Sequence, residues 1–172
     1  MNKLRRFLRR EDGAATVELA LFFPILIWPF MMAAETGFLQ MRQAMLERAM
    51  DIVVRDLRMG REELSSTGAV KTAVCERIAI MPHCERDLLL EMLPVTVTGF
   101  QPPSDPPRCV DRSEEVAPVT TFTRGSGNDL MLMRFCILHD PIFPGIGLGK
   151  QLDNDGAGHA MIARTFFVNE PQ

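Results

Sequence analysis

Between Gly13 and Ala34 the chain has a single charged residue, Glu18, in a stretch that is otherwise small, neutral or apolar. Some 20 apolar residues are enough for a helix to cross a bilayer. An acid inside such a stretch costs about 2.5 to 3.5 kcal/mol on insertion scales, so its presence marks a functional site by default. The position of Glu18 governs how the rest of the chain can be placed.

Gly13-Ala14-Ala15-Thr16-Val17-Glu18 has the form of a type IV prepilin processing site. In such a site a peptidase cuts after the glycine and the acid becomes the fifth residue of the mature chain. Glycine offers the least hindrance to cleavage at a membrane face. The cut leaves an ammonium on Ala14, four residues before Glu18, and residues i and i+4 share one helix face. The acid can then pair with its own amine or with that of a neighbouring subunit.

The leader before Gly13 is basic, with Lys3, Arg5, Arg6, Arg9 and Arg10 ahead of Glu11 and Asp12. The positive-inside rule keeps this end cytoplasmic and sends the chain beyond the span outside. Two other targeting readings are weaker. A cleaved secretory signal has a shorter apolar core and a small-x-small exit, whereas Met32-Ala33-Ala34 places a large residue at the third position back. A twin-arginine signal matches only in the Arg5-Arg6 pair.

After the span, residues 35–59 contain no proline and one glycine, Gly37. Leu39, Leu46, Met50, Val53 and Leu57 recur at helical spacing, with Glu47, Asp51 and Arg55 on another face. One helix from Ala14 to Met59 is therefore expected, stopped by Gly60. Pro24 and Pro29 inside it predict a bend or local unwinding.

The chain has 172 residues and a net charge of −3. This fits one small exported domain on one anchor and shows no nucleic-acid footprint. The expected organisation is a leader over 1–13, a transmembrane segment over 14–34, an amphipathic continuation over 35–59 and a periplasmic α+β domain over 60–172. Cys75, Cys84, Cys109 and Cys136 all fall on the outer side, where disulfides persist. Of the three possible pairings, Cys75 with Cys84 and Cys109 with Cys136 are favoured: the first clips a helix to the loop after it, the second ties a proline-rich loop to a strand. The competing reading is a metal site using His83, but the short C-x-x-C pairs of metal fingers are missing.

In the outer domain, Ser65, Ser66 and Thr67 can open a second helix near 69–80, followed by a short helical turn over 85–90. Alternation over Pro94 to Phe100 predicts a strand, and four prolines within 101–108 predict an irregular loop. A hairpin is expected next, with arms 116–123 and 130–138 around Gly125-Ser126-Gly127-Asn128. Met131, Met133, Phe135 and Ile137 share one face of its second arm, and Arg134 and Cys136 the other. Residues 141–158 read as a glycine-rich loop at the sheet edge, and 159–168 as a last strand with Ile162, Phe166 and Val168 on one face. The expected sheet is antiparallel and packs on the long helix.

No catalytic constellation holds. Gly145-Ile-Gly147-Leu-Gly149-Lys150 lacks the glycine and hydroxyl positions of a phosphate loop. Asp153-Asn154-Asp155-Gly156 has Ile162 where a calcium loop closes with glutamate. Gly125-Ser126-Gly127 is not a nucleophile elbow. His83, His139 and His159 read as surface or core residues. With no tyrosine, and Trp28 inside the span, a carbohydrate platform is poorly supplied. The chain is expected not to be an enzyme and to need no cofactor or metal.

The sequence resembles the minor pseudopilins of the tight-adherence (Tad, or Flp) pilus system, specifically TadE-like proteins. The resemblance rests on Arg-Arg-Glu-Asp-Gly13-Ala-Ala-Thr-Val-Glu18-Leu-Ala with Pro24 downstream, the long helix, the paired cysteines and the ending Arg164-Thr-Phe-Phe-Val-Asn169-Glu170-Pro171. It implies a prepilin-peptidase substrate in the inner membrane, needed to assemble or initiate Flp pili and so for adhesion and biofilm formation. Carried over by motif, Gly13 precedes the cut, Ala14 becomes the N-terminus and Glu18 is the family's acid. Other pseudopilins, inner-membrane Tad assembly proteins and membrane lipid are the implied partners. Family members often have an aromatic residue after the glutamate. Leu19 departs from this and, with the large outer domain, points to an accessory component over the main subunit. The alternative is an exported binding or enzymatic domain held by an uncleaved anchor.

Overall fold

The structure is a computed structural model and describes residues 14–96, 105, 107–114, 118–152 and 158–170. Helix α1, Ala14–Arg58, is 45 residues long and extends about 67 Å at 1.5 Å per residue. It runs unbroken through Pro24 and Pro29, so the expected unwinding does not occur. It ends at the expected glycine. Gly60 adopts φ 72°, its amide donates to the Leu57 carbonyl and the Arg61 amide donates to the Asp56 carbonyl. These two bonds form a Schellman cap, which requires the left-handed residue that glycine supplies most cheaply.

The two halves of α1 have opposite environments. Residues 15–30 are all exposed, and α1 is long and apolar enough to cross a membrane. In the second half Leu46, Ala49, Met50, Val53, Val54 and Leu57 are buried, with Leu39 and Met45 packed beside them. This stripe meets a three-stranded antiparallel sheet of β1 (Leu88–Pro94), β2 (Leu130–His139) and β3 (His159–Val168), in the order β1-β2-β3. Leu88, Leu90 and Met92 from β1, Met131, Met133, Phe135 and Ile137 from β2, and Met161, Ala163 and Phe167 from β3 face the helix and complete the core. At about 25 cal/mol per Å² of apolar surface, this shared core is what holds the sheet to α1.

After a 3₁₀ turn, Glu62–Leu64, helix α2, Thr67–Cys75, starts on Ser66, whose hydroxyl accepts from the Ala69 amide at 3.2 Å. Its buried Val70 and Val74 join the core. It stops short of the expected Ile80, because Cys75 bonds to Cys84 and the chain turns back at once. A single turn, α3 (Cys84–Asp87), leads into β1.

Three expectations need correction. Residues 88–90 are strand, not helix, and the strand expected over 94–100 lies six residues earlier at Leu88–Pro94; residues 97–100 fall outside the described ones. Among the described residues the hairpin is not formed. The edge of β2 facing that segment is taken by β1, in the register Leu90↔Phe135, while Phe122 makes only an isolated bridge to Met92. On β3, Ile162, Phe166 and Val168 share a face as expected; it is the exposed one, and Met161, Ala163 and Phe167 are buried. The glycine-rich loop contains a short helix, α4 (Gly147–Leu152), which packs on α1 and not on the sheet edge.

Both favoured disulfides are present, Cys75–Cys84 and Cys109–Cys136. The second bolts the 107–114 segment onto the sheet face opposite α1, where Leu132, Arg134, Cys136 and Leu138 are buried. The fold is thus α+β, with a long apolar helix, a small antiparallel sheet and two disulfides.

Candidate functional site

The candidate site is the exposed half of α1 together with the polar junction that ties it to the sheet. Ala14 is the first helical residue and Glu18 lies one turn later, in the exposed stretch. Among the described residues no cation meets Glu18. A free amine on Ala14 would stand about 6 Å along the axis from it, within reach of its side chain. Gly13, the residue expected before the cut, lies outside the described residues. The surroundings are apolar: Val17, Leu19, Leu21, Phe22, Phe23, Ile25, Leu26 and Trp28 are all exposed on the same helix. Such a surface in water would be a severe aggregation liability, which is the argument for its being covered.

Where the exposed half ends, Glu35 is only 2 % exposed. Its carboxylate accepts from the backbone amides of Ile142 at 3.0 Å and Phe143 at 2.9 Å. Nearby, the Leu148 amide donates to the Met32 sulfur at 2.9 Å. Two glycines make the close approach possible. A Cβ on Gly147, which has φ 56°, would overlap the Met32 sulfur, and one on Gly149 would overlap the Phe143 carbonyl.

Two turns further along α1, the Arg42 guanidinium donates to the His139 ring, 2.7 Å from Nε2 and also against Nδ1, and to the Asp140 carbonyl at 3.3 Å. His139 is buried at the end of β2. Burial, then the Arg42 charge, pushes its pKa down to about 4 from 6.5, against the opposing pull of Glu35 and Asp140. It is therefore a neutral acceptor at neutral pH. Burial also lowers Arg42, with Glu35 and Asp140 working the other way.

The network continues through Arg112, which binds Asp140 and, at 2.8 Å, Asp87. Asp87, 2 % exposed, also pairs with Arg86 at 2.8 Å. Burial alone would raise its carboxyl, but hydrogen bonds from Arg86 and Arg112 outweigh it and the pKa is lowered. A chain of charges thus links α1, the ends of β2 and α3, and the disulfide-tied segment. On the sheet itself, Arg134 stands opposite Glu91, its Nε 2.7 Å away, and donates to the Asp105 carbonyl at 2.7 Å.

At the far end, Asn169 acts as a clamp. Its backbone exchanges bonds with Asn128 and Asp129, and its side-chain amide donates to the Arg124 and Ser126 carbonyls. Glu170 makes an exposed pair with Arg58 at 3.6 Å, and Pro171 lies outside the described residues. The two terminal-motif residues described therefore hold the 124–129 turn and border a cleft of about 520 Å³ with Leu57, Met92 and Phe167. The sulfurs that a metal at His83 would need are bonded to each other. Sequence reasoning missed Glu35, Arg42 and His139, because the partners of Glu35 and Arg42 lie about a hundred residues further along the chain.

Compared with family models, curated proteins and solved structures, the chain matches none of them.

Proposed function

We propose that this chain is a minor pseudopilin-like, membrane-anchored structural component needed to assemble or initiate Flp/Tad-type pili, and that a prepilin peptidase processes it after Gly13. One observation carries the reading: Glu18 lies one turn after Ala14 on an apolar helix exposed over residues 15–30, while the second half of that helix is the core of a disulfide-bonded domain. The apolar half supplies an anchor, with the N-terminus cytoplasmic and the domain periplasmic. The acid supplies a charge whose cost in lipid is offset when a neighbouring subunit's N-terminal ammonium pairs with it. Other pseudopilins and inner-membrane assembly proteins are the partners this asks for, with no catalytic role, metal or cofactor.

The test is Glu18→Ala in the host cell. Pili should be lost while the domain accumulates in its disulfide-bonded, protease-resistant form. Unchanged piliation would contradict the proposal and leave a plain anchor.

A further inference from the structure

The segment after β2 reads Pro141-Ile-Phe-Pro-Gly-Ile-Gly-Leu-Gly149, nine residues without one polar side chain. A surface loop in water is normally polar, with its amides solvated. Here Ile142 is 39 % and Ile146 44 % exposed, and the amides of Ile142, Phe143, Ile146 and Leu148 find their partners within the protein. Glu35 accepts from the amides of Ile142 and Phe143, Met32 from Leu148, the Phe143 carbonyl from Ile146, and the Ile146 carbonyl from Lys150. Irregular backbone at membrane depth is tolerated only where the protein satisfies its polar groups in this way.

The position along α1 gives the depth. Residues 14–34 extend about 31 Å as a helix, matching a hydrocarbon core of about 30 Å. On that alignment, which rests on the anchor reading above, Ala34 marks the outer boundary. Met32 lies about 3 Å inside it and Glu35 about 1.5 Å beyond. The segment touches both residues, so it sits at the boundary itself, alongside the helix. Gly147 allows it to press this closely on Met32, and Gly149 lets the segment fold against its own Phe143 carbonyl. Lys150, exposed at its end, can carry its ammonium to headgroup level while its stem stays apolar.

We infer that Pro141–Leu152 is an interfacial foot: Ile142 and Ile146 insert into the outer lipid leaflet beside α1, and Lys150 meets the headgroups. The foot fixes the height and rotation of the sheet domain over the bilayer, through the Glu35 bonds that join it to α1. Its partner is the lipid surface, continuous with the exposed apolar face of residues 15–30.

Trp28 is the chain's single tryptophan, which makes the test direct. The full-length Trp28→Phe, Ile146→Trp protein is placed in phosphatidylcholine vesicles with and without brominated acyl chains. Fluorescence should be quenched by brominated lipid, though less than that of the deeper Trp28 in the unsubstituted protein, resist aqueous iodide and shift to shorter wavelength. Quenching by iodide but not by brominated lipid overturns the inference, as does shielding from both, which would mean that another polypeptide covers the foot. Trp28→Phe with Ile142→Trp is the second reporter should the first variant misfold. The unsubstituted protein separates the two readings: Trp28 unquenched by brominated lipid defeats the anchor, whereas Trp28 quenched and residue 146 exposed to iodide defeats the foot alone.

Discussion

The Glu35 carboxylate stands 2.9 Å from the backbone amide nitrogen of Phe143, 108 residues further along the chain. With the Ile142 amide at 3.0 Å, this makes one buried acid the joint between α1 and the segment after β2. Charge-assisted bonds to backbone amides are among the stronger ones a protein makes. Truncation to Glu35→Ala leaves two amides without their acceptor and should cost about 3 kcal/mol, since each orphaned group costs roughly 1 to 3 kcal/mol. Glu35→Gln keeps one accepting oxygen and should lose about half of that. Urea unfolding in detergent, paired with limited proteolysis over residues 141–152, measures both. An alanine variant as stable as the parent would show that the joint carries no weight.

Acid should weaken the domain in two separable steps. The folded-state pKa of His139 is about 4, below its ordinary 6.5. Between those values the unfolded chain binds a proton that the folded chain refuses, so stability falls as pH drops through this window. Above it the group makes no difference. Allowing for solvent screening at the domain surface, the loss should be about 2 kcal/mol. His139→Gln should flatten the profile there. A second loss belongs to Asp87, whose lowered pKa keeps its stabilisation until pH falls below the ordinary carboxylate value. Unfolding midpoints measured from pH 8 to 3 on parent and variant distinguish the two.

The two disulfides should not be equivalent. Cys109–Cys136 closes 27 residues and Cys75–Cys84 closes 9. Loop-closure entropy then favours the first by about 1 kcal/mol, roughly 3.5 against 2.5 kcal/mol. Pairwise replacement by alanine, then thermal unfolding, should show the larger drop for the 109–136 pair. The reverse order would mean that the 107–114 segment stays in place without its bolt.

Gly68 lies exposed in the first turn of α2, with nothing within 4 Å of where a Cβ would be. Its φ is not positive, and glycine in a helix gives up about 0.5 to 1 kcal/mol relative to alanine. Gly68→Ala should therefore raise domain stability by that amount, read as a shift in urea midpoint at unchanged slope. A destabilised variant would indicate that something covers this turn.

The long helix was legible because its signals agree: an apolar run, a helical stripe from Leu39 to Leu57 and a stop at Gly60. The cysteine pairing was legible because a short helix–loop return suits Cys75 and Cys84. Strand β1 was not. Leu88, Leu89 and Leu90 are all buried, so its sequence shows no alternation, whereas the Val-Thr-Val-Thr run just after it supplies one. The hairpin failed because β2 found its partner upstream in β1 and not in the neighbouring segment. Glu35 read as the boundary of the span, since nothing local announces that its hydrogen-bond donors lie more than a hundred residues away. The face of β3 was grouped correctly but assigned no side, because both sets, Ile162, Phe166 and Val168 or Met161, Ala163 and Phe167, are apolar enough to be the core.

The most direct measurement is the N-terminal sequence of the protein taken from membranes of cells with and without their prepilin peptidase. A chain beginning at Ala14 only when the peptidase is present is the expected result. A chain beginning at Met1 in both would contradict processing at Gly13 and reduce α1 to an uncleaved anchor.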